Sequence, residues 1–198
     1  IIIKHSIKIR EGISNLIVEC KDEAVKMTIG RKSKYFYDSK DSDVFEELID
    51  TYSLEKDVEA TTYEHKELVQ YNASDWDFMV SRAQANGKLC FVNDGKIVIK
   101  KPEFSQTEIE TVVYGSSMLD FDAEIDARNQ LKKATSYTWN PSDQELVDTE
   151  GADPGVSLNG NLTSADLADV IGLENLELRH GGRVNDALMQ SWSDSTLL

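Results

Sequence analysis

Two cysteines, three histidines and three prolines are all that 198 residues contain. Cys20 and Cys90 are too few for a disulfide framework and lack the paired spacing of a zinc site. Both fall in apolar, strand-like runs. A reduced, buried pair of thiols is expected, in keeping with cytoplasmic synthesis and folding. His5, His65 and His180 have no His or Cys neighbour at ligand spacing, so no metal site is expected. No G-x-S-x-G elbow or phosphate-binding loop occurs, and the glycines over 151–160 lack phosphate-loop spacing. No apolar run is long enough to span a bilayer, and Ile1-Ile2-Ile3 is too short for a signal-peptide core. Positive charge is also scarce: 21 Lys and Arg against 36 Asp and Glu leave a net charge of −15. That excludes the basic footprint a nucleic acid demands and disfavours an anionic membrane surface. Catalytic residues, cofactors, metals, nucleic acid, a signal peptide and stable membrane insertion are therefore not expected.

The most legible stretch is Tyr71 to Lys101. Ser74 is suited to cap a helix, with Asp75 and Asp77 at its positive end. Trp76, Met79, Val80 and Ala83 follow at helical spacing, and Asn86-Gly87 ends the run. Asn93-Asp94-Gly95 between two β-prone runs, Lys88–Val92 and Lys96–Lys100, predicts a hairpin. Trp76 and Phe78 are expected in the core rather than in a binding site.

Before this unit, Ile1–Tyr37 reads as antiparallel β-structure, with runs at Ile1–Arg10, Leu16–Cys20 and Ala24–Ile29. Gly30 to Lys34 forms a basic loop. Asp41–Tyr52 is an amphipathic helix that Asp41 or Ser42 can cap, presenting Val44, Phe45, Leu48, Ile49 and Tyr52. Leu54–Thr61 is polar and reads as a connection, and Thr62–Tyr71 returns to β character. After Pro102, Glu108–Tyr114, Met118–Ile125 and Leu131–Asn140 are expected strands, and Glu150–Gly155 a loop. Thr163 caps a helix ended by Gly172. Leu176–His180 is a short strand, and Val184, Leu188 and Trp192 mark a last helix.

Two charged clusters stand out. Met118, Asp120, Asp122, Glu124 and Asp126 share one strand parity, and Leu119, Phe121, Ala123 and Ile125 the other. The acids read as a solvated or subunit-contact face, with calcium binding or acid–base chemistry as rarer alternatives. Arg31, Lys32 and Lys34 read as a solvated turn or as a contact with an acidic partner surface, one option being a neighbour's Asp120, Asp122 and Glu124.

Several blocks carry a family likeness. Gln70-Tyr71-Asn72-Ala73-Ser74-Asp75-Trp76-Asp77-Phe78 resembles the entry to a short helix in VgrG-type spike proteins of type VI secretion (the Rhs element Vgr family) and in related phage baseplate hub proteins. Lys21–Tyr37 resembles the end of the family's first tube barrel. Gly115–Leu146, with Phe121 to Arg128 and Ser136-Tyr137-Thr138-Trp139, resembles the opening of the second. Leu188-Met189-Gln190-Ser191-Trp192-Ser193-Asp194-Ser195 resembles the helix that precedes the spike.

The resemblance implies an α+β fold, mainly antiparallel β, with barrel-like tube domains and a small α/β insert. The expected division is the remainder of a first barrel over 1–38, the insert over 39–103, and a second barrel over 104–198 with a helical insertion near 158–175. It further implies that the chain starts within the first barrel and stops before an OB-fold and needle. The implied function is that of a structural hub: a homotrimer, assembled in the cytoplasm and then secreted or injected, capping a hexameric Hcp-like tube and carrying the needle and effector or tip proteins. A tail-associated hydrolase and a generic α+β binding module are the alternatives.

Overall fold

In the computed structural model, residues 1–156 and 161–198 are described, and the chain divides into two compact units, Ile1–Lys101 and Pro102–Leu198. The part of the expected helical insertion over 158–160 lies outside the described residues.

The N-terminal unit opens with a hairpin of β1 (Ile2–Arg10) and β2 (Ile13–Cys20). The chain then enters a 3₁₀ turn, Glu23–Thr28, where Ala24–Ile29 was expected to be a strand. Two signals override the β-prone composition. The Asp22 carboxylate accepts from the Ala24 amide, and Ala24 and Met27 are both buried at a spacing of three.

β3 (Lys32–Lys40) pairs antiparallel with β5 (Glu64–Ala73), so the expected basic loop is largely the start of a strand. Helix α1 (Asp41–Asp50) follows at once and buries Val44, Phe45, Leu48 and Ile49. Its cap is neither Asp41 nor Ser42: Lys40 occupies that position, and its amide donates to Asp43. β4 (Glu55–Val58) replaces the expected connection. It lies parallel to β7 (Lys96–Lys100), which also pairs antiparallel with β6 (Leu89–Asn93). The β6–β7 turn has Asp94 and Gly95 both at positive φ, as a tight hairpin requires. Helix α2 (Asp75–Ala85) has Ser74 accepting from the Asp77 amide. Phe78, Met79 and Ala83 are buried, while Trp76 is partly so. Phe36 and Phe78 stack at 6.0 Å in a core completed by Met27, Phe45, Ile49, Ile97 and Ile99.

The C-terminal unit begins with residues 102–133, which form no strand; the expected strands at 108–114 and 118–125 are absent. Alternation is present there, but a strand also needs a hydrogen-bonded neighbour. β8 (Ala134–Asn140) is central, with β9 (Glu145–Glu150) antiparallel on one side and β10 (Leu176–Arg179) parallel on the other. Helix α3 (Ser164–Ile171) has Thr163 and Asp166 in a reciprocal cap and ends at Gly172 in the left-handed region. Helix α4 (Asp186–Leu197) packs on β8 and β9. Buried Ser193 accepts from the Ser136 amide at 3.1 Å, and its single hydroxyl hydrogen serves Ser136 Oγ at 2.8 Å and the Thr149 carbonyl at 3.1 Å.

The fold class is α+β with mostly antiparallel pairing. Its sheets are open and have two or three strands, and no closed barrel forms among the described residues. So few strands cannot close on themselves within one unit.

Candidate assembly surface

Two buried clusters engage ionisable groups of the N-terminal unit. Asp41 is 1% exposed and lies at the start of α1. Arg82 on α2 donates to both its oxygens, at 2.7 and 2.8 Å, and Asn86 adds a third bond at 3.0 Å. His65 Nε2 stands 3.0 Å from Asp41 Oδ2 and equally close to Arg82. One ring nitrogen cannot donate and accept at once, and the carboxylate makes it the donor to Asp41. Burial alone pushes the Asp41 carboxyl up. The bonds from His65 and Arg82, the guanidinium charge and Asn86 outweigh it and hold the group well below the usual carboxylate range. This cluster ties α1, α2 and β5 together.

A second cluster lies inside the Gln70–Phe78 motif. Asp75, also buried, accepts from Gln70 at 2.9 Å, Tyr52 at 2.6 Å and Lys32 at 2.6 Å. Burial works against the charged form of Asp75, but these donors prevail and lower its pKa. The bond to Asp75 and that to Tyr52 raise the pKa of Lys32. The motif is thus a polar lock on the start of α2, with Phe78 beneath it.

Of the expected basic contact residues, Arg31 donates to the Asn72 carbonyl, Lys32 is held by Asp75, and Lys34 pairs with Glu47. Asp120, Asp122 and Glu124 are exposed and enter no ion pair among the described residues, whereas Asp126 pairs with Arg128. Sequence reasoning missed the Asp41–His65–Arg82 cluster. Its only sequence trace is an acid, a histidine and an arginine on three separate elements.

Large apolar residues are exposed as well. On β1 and β2, Ile7, Ile9, Leu16 and Val18 are open to solvent, Ile7 at 68% and Leu16 at 66%. Over 109–125, Ile109, Tyr114, Leu119, Phe121 and Ile125 are likewise open, Leu119 at 95%. Each unit thus exposes several large apolar residues of its own. No helix of the described residues is long and apolar enough to cross a membrane, and no group of three or more His, Cys, Asp or Glu among them is arranged to hold a metal.

The cysteines are not a buried pair. Cys20 is exposed because the hairpin carries no cover, whereas Cys90 lies against the core, and burial pushes its thiol up to about 11. A thiol reagent at pH 8 is expected to modify Cys20 rapidly and Cys90 only on unfolding, as followed by intact mass. Equal rates at the two positions would contradict this placement.

The fold is shared with phage tail proteins. The 43 kDa tail protein of prophage MuSo2 from Shewanella oneidensis superposes with a TM-score of 0.62 at 13% identity, over 94% of this chain and 54% of its own. The tail protein from Neisseria meningitidis MC58 gives a TM-score of 0.62 at 13% identity, over 97% of this chain and 57% of its own. This chain therefore spans little more than half the length of those proteins. No curated protein matches it in sequence. By sequence the chain belongs to the Alg8 N-terminal domain family, whose model matches residues 1–198.

Proposed function

We propose that the chain is a structural part of the hub of a contractile injection machine, of the VgrG type that its motif order resembles, and not an enzyme. The observation that carries this reading is the likeness to two phage tail proteins over nearly the whole of this chain. The internal chemistry is consistent with it. The buried Asp–His–Arg cluster spends its hydrogen bonds on joining elements, and the motif shared with spike proteins serves as a packing lock. In the hub, the chain is one protomer of a homotrimer that caps a hexameric tube protein. It carries needle, effector or tip proteins, and leaves the cytoplasm with the assembled spike. The net charge of −15 disfavours a nucleic-acid partner.

The test is co-sedimentation with the hexameric tube protein of the same system, with mass read by light scattering. The expected result is a complex of three copies per tube hexamer. Failure to bind the tube, or turnover of cell-wall material by the purified chain, would overturn the proposal.

A further inference from the structure

We infer that the Met118–Asp126 segment of one copy adds as a third strand to the β1 edge of a second copy's hairpin. The inference rests on the self-assembly in the function proposed above and names the contact that makes it.

The hairpin has two unlike faces, fixed by its register. His5, Ile7 and Ile9 stand opposite Val18, Leu16 and Ser14, giving an apolar face. Lys4, Lys8 and Arg10, all on β1, project from the other, alongside Ile17 and Ile13 of β2. These three cations enter no ion pair among the described residues. Neither edge of this two-stranded sheet is hydrogen-bonded to another strand, and the apolar face is open to solvent. A free apolar ribbon of this kind is an incomplete sheet, with unpaired amides and carbonyls along each edge.

Met118–Asp126 has the complementary pattern. Leu119, Phe121, Ala123 and Ile125 form one parity, and Asp120, Asp122 and Glu124 the other. Residues 119–125 of the segment are exposed and belong to no strand, while Asp126 pairs with Arg128. Laid beside β1, it extends the apolar face with Leu119, Phe121 and Ile125. In the same register it sets its three free carboxylates along the cationic face, two of them directly beside cations, because Ser6 separates Lys4 from Lys8 and Arg10. A slip of one residue would bring acids onto the apolar face, so the pattern also fixes the register. The choice of β1 over β2 follows from charge, since β2 offers Glu19 and no cation on that face. Each copy holds one hairpin and one segment. The contact is heterologous, and such contacts give a ring where the rotation closes and an open filament where it does not.

Light scattering on three proteins tests this: the wild type, a hairpin variant (Lys4→Glu, Lys8→Glu, Arg10→Glu) and a segment variant (Asp120→Lys, Asp122→Lys, Glu124→Lys). All six positions are exposed, so folding is not at stake, and circular dichroism checks it. The wild type is expected to be oligomeric. Each variant alone should associate at least ~10-fold more weakly and approach the 22.2 kDa monomer. An equimolar mixture should reassociate into species with even numbers of copies, heterodimers first, because each reversed surface meets its opposite only where the two variants alternate. A wild type that is monomeric at every concentration, variants whose mass is unchanged, or a mixture that stays monomeric would overturn the pairing. Tube binding is read separately. A chain that assembles through these strands yet ignores a tube protein removes the hub and leaves the pairing intact.

Discussion

Asp41→Ala is expected to destabilise the N-terminal unit by about 3 kcal/mol, at the low end of the range for breaking a buried ion pair. Removing the carboxylate leaves Arg82 without its bidentate partner and His65 without its acceptor, beneath α1. Arg82 retains 15% of its side-chain exposure and can turn partly toward water, which keeps the loss from being larger. Asp41→Asn separates charge from shape, since it keeps an acceptor oxygen while removing the ion. The pH dependence has a definite sign. Asp41 has a depressed folded-state pKa, so its contribution is complete above the unfolded value of about 3.9 and is lost as pH falls through the lower folded value. Wild-type stability should thus fall more steeply with acid below about pH 4 than that of Asp41→Asn. Urea titrations across that range measure both effects. A loss under about 1 kcal/mol for Asp41→Ala, or parallel acid slopes, would mean the cluster contributes little net stability.

Gly151→Ala should cost about 1–3 kcal/mol in the C-terminal unit through overpacking. A Cβ at Gly151 would stand 2.7 Å from the Ser193 carbonyl oxygen and 2.9 Å from Leu197 Cδ1, so backbone as well as side chain obstructs it. Helix α4 would have to retreat from β9. The retreat strains the bond from Ser193 to the Thr149 carbonyl and the Ala152 amide's bond to Asp194. Gly181→Ala is the control: its Cβ would meet nothing within 4 Å, and stability should stay within ~0.5 kcal/mol. Denaturant midpoints that shift equally for the two variants would show that α4 does not press on Gly151.

What could be read from the sequence was what local chemistry writes into it. The Ser74 cap, the helical spacing to Ala83 and the Asp94-Gly95 turn each act within a few residues, and all three appear where expected. β4 was illegible because Glu-Lys-Asp-Val has no strand signature; its partner β7 lies some forty residues away and supplies the ladder. β9 was missed for a related reason, since Glu145–Glu150 is polar and exposed on most of its length. The reverse holds over 118–125, where period-two alternation is present and a neighbouring strand is not. Asp41 looked like a cap because acids favour helix starts. Its partners on β5 and α2 came together only on folding.

The parallel pairing of β10 with β8 imposes an order in time. β9 follows β8 directly and can close as a hairpin within about 1–10 μs. β10 does not exist until the ribosome has advanced from Glu150 to Leu176, roughly 1–5 s later at ordinary elongation rates. For that interval the far edge of β8, with Ala134 to Tyr137 on it, is bare on the nascent chain. The strand at the centre of the finished sheet is thus, during synthesis, an edge strand open to mispairing.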